Sequence, residues 1–468
     1  MVGELSPDAQ TTAAIAVLMA VWWMTEALPL PVTGLLPLVL FPLSGVLTPE
    51  QAAIPYANKY VFLFLGGFMI ARAVERWQLH RRIALLTVLT AGTQPTRLIA
   101  GFMIATAGLS MWISNTASTV MMLPIGMSLV ALVHDQLRKD ATVPANAPAN
   151  FSICMMLGIA YAASIGGMGT LIGTPTNLFL AGFVAEQQIP LGFARWMLFA
   201  TPLAAIFLWI AWLCLTRFVF PIRVREIPGG RELIRGELEK MGSVSRGEWT
   251  VLIVFATTAL CWVAREPLTN WDWLIERVPV IGRVNDTLIA LLGALVLFVI
   301  PIDARRGVFA LDWDTARNIP WGVLLLFGGG YSLAGAIKQS QLGDWIGQQV
   351  TGLAFFPTAA LVVVVVAMVV FLTELTSNTP TAAAFVPILF GVAGGLSVEP
   401  MLFLVPATLA ASCAFMLPVA TPPNAIVFGS GYAPISAMMR AGVWLNIVSI
   451  LLIPLWTLLV GRWVFSLG

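Results

Sequence analysis

The sequence predicts an all-α polytopic membrane protein made of two five-span repeats in inverted topology, each with a re-entrant hairpin and an unwound helix. Three observations lead there. Of the 468 residues, 59% are hydrophobic and 10% charged, and the mean hydropathy is +0.89, far above soluble globular chains. Ser114-Asn115-Thr116 returns as Ser377-Asn378-Thr379 at an offset of 263, which also pairs Gly66-Gly67 with Gly329-Gly330 and Pro124 with Pro387. Thr174-Pro175-Thr176-Asn177 returns as Thr421-Pro422-Pro423-Asn424 at an offset of 247, the 16-residue slippage falling in the polar stretch 134–150. Paired polar motifs inside duplicated apolar sequence are the pattern of a transporter with its site at the repeat interface.

A spanning helix needs about 20 largely apolar residues. Spans are expected near 11–28, 32–47, 60–76, 151–187, 193–220, 248–266, 284–302, 320–337, 401–432 and 436–465. The stretches 98–133 and 358–394 are too long for one span and carry the triplets near their middles. A polar centre is costly in hydrocarbon, so each reads as a hairpin that dips to mid-membrane and returns. Residues 78–91 read as an interfacial helix with its basic residues facing headgroups, and 341–352 precede the second hairpin in the same way. The polar stretch 221–247, with paired charges and a Pro-Gly-Gly break, reads as a cytosolic linker between the halves.

Charge tests this topology. With the first span starting outside, eighteen of the 25 Lys and Arg residues fall on the inner side, Arg138, Lys139, Arg223 and Arg225 among them. The positive-inside rule is obeyed. Five spans per half then give the halves opposite orientations. Before Glu26 the only charged residues are Glu4 and Asp8, so residues 11–28 are expected to be a mature span and not a signal peptide. Cys154, Cys214, Cys261 and Cys413 stand singly in apolar sequence and are expected to be core thiols, while His80 and His134 are expected at the surface. A net charge of +2 argues against a nucleic-acid partner.

At a hairpin tip the chain leaves carbonyls of one half-helix and amides of the next without partners. Carbonyl, Ser and Asn oxygens suit a small hard cation, and the positive end of the outgoing helix suits an anion. Thr116 and Thr379 are expected at the N-caps, with Pro380 at the first helical position. Polar triplets also cap broken helices without binding anything; duplication at one offset argues for a site. In GTPTN (173–177) and ATPPN (420–424), Pro175, Pro422 and Pro423 force the span to unwind, which is acceptable only beside a cavity or ligand. Thr174, Asn177, Thr421 and Asn424 add neutral oxygens and amides, as does Ser377.

No Arg, Lys, His, Asp or Glu stands within these four motifs. An anion held there must be balanced by helix ends and co-bound cations, which points to cation-coupled transport and away from a proton relay. Glu374, one turn before Ser377, either holds structure by hydrogen bonding or tunes the cation site.

The twin SNT triplets, the paired TPxN motifs and TEALPLPVTGLLPLVLFPLSG together resemble the divalent anion:sodium symporter family, the INDY-type di- and tricarboxylate transporters. The resemblance covers essentially the whole chain. It implies a homodimer in which a scaffold holds the dimer and a transport domain moves as an elevator. Residues 1–96 would be the scaffold part of repeat 1, 97–192 its transport part, 193–247 its last span and the linker; 248–357 and 358–468 would be the scaffold and transport parts of repeat 2. One sodium ion would match Ser110, Ser114, Asn115 and Gly173, the other Thr373, Thr376, Asn378 and Ala420. The offset of 263 carries Ser110 onto Thr373 and that of 247 carries Gly173 onto Ala420, but Thr376 falls on Ile113. Substrate carboxylates would meet Asn115, Thr116, Asn378 and Thr379, with Thr421 and Pro422 nearby.

The expected function is secondary active import of a C4-dicarboxylate such as succinate, malate or fumarate across the bacterial inner membrane, driven by sodium. The alternatives are sodium-independent dicarboxylate antiport and symport of citrate or sulfate. An anion channel fits the inverted repeats less well, and the apolar core offers no nucleophile, metal site or acid–base pair for an enzyme.

Overall fold

The computed structural model describes residues 5–92, 94–137, 147–222 and 229–465 and is almost entirely helical. Ser6 opens α1 (Pro7–Thr25), its hydroxyl accepting a hydrogen bond from Ala9 N at 3.2 Å. The expected span 32–47 is divided into α2 (Leu30–Thr33) and α3 (Leu36–Ser44). A Thr48–Gln51 capping box starts α4 (Pro49–Ala53), and Asn58 caps α5 (Lys59–Arg76), which leads to α6 (Leu79–Thr90). The first hairpin is α7 (Pro95–Ser110) and α8 (Asn115–Leu137). A broken helix follows, α9 (Ala147–Gly167) and α10 (Pro175–Glu186), and then α11 (Phe193–Leu213) with a π-helical end.

Between the halves lies α12 (Gly230–Lys240). A Ser245–Glu248 capping box then opens α13 (Arg246–Thr269), followed by α14 (Asp272–Arg277) and α15 (Asp286–Val299). Strands β1 (Pro301–Asp303) and β2 (Val308–Phe309) pair antiparallel, and α16 (Trp313–Ala316) leads into α17 (Trp321–Gln339) and α18 (Leu342–Val350). The second hairpin is α19 (Thr358–Leu375) and α20 (Asn378–Gly395); the second broken helix is α21 (Met401–Ala411) and α22 (Pro422–Gly429). The described chain closes with α23 (Ile435–Trp456), a π-helical turn and α24 (Arg462–Val464). The series span, short helix, hairpin, broken helix, span therefore occurs twice, as α5–α11 and α17–α23.

Among the described residues, seven helical stretches are long and apolar enough to cross a membrane. Five are Pro49–Arg76, Ala147–Gly167, Phe193–Val219, Arg246–Thr269 and Ile435–Val464; the other two, α8 and α19, are hairpin arms. Leu30–Ser44, α15 and α21 are apolar but shorter. The expected spans 11–28 and 320–337 correspond to α1 and α17, which lie outside both groups.

The two halves interlock around α9, in which every residue from Cys154 to Gly167 is buried. A helix apolar on all sides belongs in the centre of a membrane protein. Close backbone approach holds it there: a Cβ on Gly166 would sit 2.5 Å from Ala107 Cα on α7. Tyr161, also on α9, donates from its hydroxyl to Phe415 O of the second broken helix at 2.7 Å.

Burial corrects several expectations. Helix α6 does not lie free at an interface: Leu79, His80, Arg82, Ala84, Leu85 and Val88 are buried. His80 Nδ1 lies 3.1 Å from Val74 O, and burial holds its imidazole below the ordinary range. Arg82 faces Glu248, not headgroups, with Nε 2.5 Å from Oε1, and donates to Gly242 O at 3.0 Å. The linker contributes α12, whose Glu237 pairs with Arg81 at 2.8 Å. His134 is half-buried, 2.8 Å from Ser152 Oγ, and Cys261 is exposed while the other three cysteines are buried. Arg138, Lys139, Arg223 and Arg225 lie outside the described residues.

Gly166→Val drives a side chain into α7 and should lower stability by about 1–3 kcal/mol or more, read as the thermal midpoint of the detergent-purified protein. Gly108→Ala on the same α7, where an added Cβ meets nothing within 4 Å, should not lower that midpoint and should raise it slightly through the better helix propensity of alanine.

Candidate functional site

At the first tip, residues 111–114 join Ser110 of α7 to Asn115 of α8. Ser114 Oγ accepts from Ala117 N at 3.2 Å, and Ser377 stands extended at the N-cap of α20 (φ −78°, ψ 145°). The serines therefore take the cap positions expected of Thr116 and Thr379, and the threonines are the second helical residues. Pro380 is the third. An amide there has no intrahelical partner to lose, so proline remains tolerated.

The broken helices resume at Pro175 and Pro422, each preceded by an extended threonine, Thr174 (φ −138°, ψ 144°) and Thr421 (φ −143°, ψ 148°). One asparagine ties each unwound stretch. Asn177 Nδ2 donates to Gly167 O, Met168 O and Thr170 O at 3.3, 3.1 and 2.7 Å. Asn424 Nδ2 donates to Ala414 O and Leu417 O at 3.0 and 3.1 Å. Both asparagines are fully buried behind the unwound chain and do not line the cavity described below. Their sequence motif marks a backbone clamp.

Two oxygen clusters sit behind the tips. In the first, Ser110 Oγ lies 2.7 Å from both Asn115 Oδ1 and Ala163 O. A hydroxyl carries one proton and satisfies only one of them. With its amide turned over, Asn115 nitrogen donates to Ala163 O at 3.1 Å, Ser110 Oγ at 2.7 Å and Gly173 O at 3.3 Å, so these three oxygens and the amide converge on one point whichever way the amide stands. The second cluster repeats the arrangement: Thr373 Oγ1 lies 3.0 Å from Asn378 Oδ1 and 2.8 Å from Ala411 O. Hydroxyl, side-chain amide and backbone carbonyl oxygens gathered at each tip are the ligand types of a small hard cation, so the residues present fit the expected ions. Ala163 and Ala411 are contributors that the sequence could not reveal, because they act through carbonyls. Thr376 has its hydroxyl taken up by Leu372 O at 3.0 Å and Thr381 Oγ1 at 2.7 Å.

In front of the tips lies a cavity of about 950 Å³. Its wall brings together Ser114, Asn115 and Thr116 with Ser377, Asn378 and Thr379, and Gly173, Thr174 and Pro175 with Ala420, Thr421 and Pro422. Residues 263 and 247 positions apart thus converge on one volume. Ser110, Thr373 and Thr376 lie behind that wall. The charged residues of the lining come from α5 and α6 alone, and the two arginines are paired: Arg72 with Glu75 at 2.7 Å, Arg81 with Glu237 at 2.8 Å.

A family model described as the sodium:sulfate symporter transmembrane region matches residues 3–467. The chain belongs to this family. Two relatives are each 41% identical to it, the sodium-dependent dicarboxylate transporters SdcS of Staphylococcus saprophyticus and of Staphylococcus aureus strain USA300. The alignments cover 97% and 94% of this chain and 86% and 84% of the relatives. Two solved structures share the fold, each 14% identical: Neisseria gonorrhoeae MtrF (TM-score 0.58, covering 100% of this chain and 97% of that one) and the Alcanivorax borkumensis YdaH transporter (0.55, 96% and 98%). The protein is a multi-pass transporter of a bacterial cytoplasmic membrane and not an enzyme.

A Cβ on Gly167 would come within 2.5 Å of Asn115 Oδ1. Gly167→Ala should therefore weaken cation binding at the first cluster by about tenfold or more, seen as a shift in the sodium concentration that half-maximally stabilises the purified transporter against heat.

Proposed function

We propose that the transporter imports C4-dicarboxylates such as succinate, malate or fumarate together with sodium ions. The observation that carries this reading is the single cavity walled by both triplets and both broken helices. Asn115 and Thr116 face it from one tip and Asn378 and Thr379 from the other, so a linear dianion has a neutral donor pair for the carboxylate at each end. Four helices, α8, α10, α20 and α22, begin on or beside this wall and direct their positive ends toward an anion. Sodium at the two oxygen clusters supplies the remaining positive charge. Sulfate, named by the family description, has its charge on one centre and would leave one tip unused; the relatives named for dicarboxylates favour the longer anion.

The same geometry supports an inverted repeat that works by alternating access. The cavity extends to Glu75, Gln78 and Arg81, on the side expected to be cytosolic, and corresponds to an inward-open state. A second cavity of about 530 Å³ is lined by Lys338, Gln341, Asp344 and Pro387. These are the positions 263 residues beyond Glu75, Gln78, Arg81 and Pro124. One vestibule per repeat is what two halves of opposite orientation require, and the smaller one would open when hairpins and broken helices move together past a dimeric scaffold.

Radiolabelled succinate uptake into proteoliposomes should need an inward sodium gradient and disappear when choline replaces sodium; persistence in choline would favour exchange. Asn115→Ala and Asn378→Ala should each abolish sodium-dependent uptake with folding intact. Uptake equal to wild type in both variants would overturn the assignment.

A further inference from the structure

Glu374 stands beside the second triplet, and the mechanism above does not use it. It sits on α19 one residue after Thr373 and is 4% exposed. Its Oε1 accepts from Phe415 N, Met416 N and Asn446 Nδ2 at 2.7, 2.9 and 2.8 Å. Its Oε2 accepts from Met416 N and Leu417 N at 3.0 and 3.1 Å. Three successive amides of the second unwound stretch thus converge on one internal anion, with a fourth donor from α23. Unwound backbone of this kind is a ready anion site, and Glu374 fills it.

The clasp adjoins the cation cluster on one side and leads to Ala420 on the other. Leu417, held through its amide, accepts through its carbonyl from Ala420 N at 3.3 Å and Asn424 Nδ2 at 3.1 Å. The path from Glu374 to Ala420 is therefore a run of hydrogen bonds. On the other side, Thr373 contributes the hydroxyl between Asn378 Oδ1 and Ala411 O.

The first half does the equivalent work without charge. The offset of 263 puts Met111 where Glu374 stands, and that of 247 puts Met168, Gly169 and Thr170 where the three amides stand. There Met168 N and Gly169 N bond to Ile165 O and Gly166 O at 3.3 and 2.9 Å. Thr170 Oγ1 donates to Met111 O and accepts from Gly173 N at 3.0 Å. Thr170 falls on Leu417, which has no hydroxyl to offer.

We propose that Glu374 is the positioning residue of the second cation site: its carboxylate fixes residues 415–417, and the residue before it, Thr373, supplies the hydroxyl of the cluster. The first site has no such carboxylate. This rests on the sodium-coupled reading of the cavity. Because Glu374 is spent on internal amides, it acts on the cation through geometry and leaves the dicarboxylate to the tips.

The test is a pair of sodium titrations, thermal stabilisation of the purified transporter without dicarboxylate and succinate uptake in proteoliposomes. Glu374→Gln should raise the half-saturating sodium concentration in both by about tenfold or more. The KM for succinate at saturating sodium should stay within about twofold of wild type, since the tips are untouched. Glu374→Asp, which keeps the charge on a shorter arm, should shift the sodium curve in the same direction by less, and it carries the test if the glutamine variant does not fold. An unchanged sodium curve in whichever variant folds, or a succinate KM that rises at saturating sodium, would overturn the proposal. A wild-type protein without any sodium response would instead remove the sodium-coupled reading on which it stands.

Discussion

Within a bilayer every backbone amide and carbonyl must find its partner inside the protein, and this constraint governs the centre of the molecule. Two hairpin tips and two unwound stretches interrupt the helices at mid-chain, freeing groups that would each cost several kcal/mol if left in hydrocarbon. A handful of side chains answers them. Asn177 and Asn424 collect carbonyls, Glu374 collects amides, Ser114 caps a helix, and Thr170 bridges Met111 O to Gly173 N. At the tips, hydroxyl, amide and carbonyl oxygens remain gathered where a small cation fits. The site is what remains once the structural demands of broken helices have been met.

That arrangement depends on close packing. The Asn115 amide can approach the C-terminal end of α9 because residue 167 is glycine, and α7 can lie against α9 because residue 166 is glycine. Tyr161 then ties the first broken helix to the second through Phe415 O, the same residue whose amide is held by Glu374. Helix α9 of the first half and the unwound stretch of the second are thus joined through the two ends of the same residue.

Much of this was legible in the sequence because it is carried by residue identity at a fixed offset. The triplets, the proline breaks and the glycine pairs repeat visibly, so the hairpins, the broken helices and the convergence of Asn115 with Asn378 were within reach. Features that depend on distant partners were not. Arg82 reads as a basic residue of an interfacial helix until Glu248, 166 positions later, is seen against it. His80 reads as surface until its burial in α6 is known, and Cys261 reads as core until α13 is seen to expose it. The caps fall two residues before the threonines, which residue identity could not decide because Ser and Thr are both good N-caps and only the extended backbone of Ser377 distinguishes them. The carbonyls of Ala163 and Ala411 have no sequence signature at all. Alanine is chosen there for its size, and its oxygen is common to every residue.

The duplicated motifs also conceal a difference between the halves. A strict repeat would give two equal cation sites, yet Ile113 stands opposite Thr376, Leu417 opposite Thr170 and Met111 opposite Glu374. In the first half the amides of Met168 and Gly169 bond to the carbonyls of Ile165 and Gly166. In the second half the matching amides of Phe415 and Met416 bond to the carboxylate of Glu374 from the neighbouring hairpin, and Asn446 of α23 completes its coordination. Removing a methionine and installing an acid at a hairpin tip would be prohibitive in lipid without those four donors; with them the charge is held by the fold. The second half thus ties its unwound stretch through a carboxylate where the first uses carbonyls and a hydroxyl.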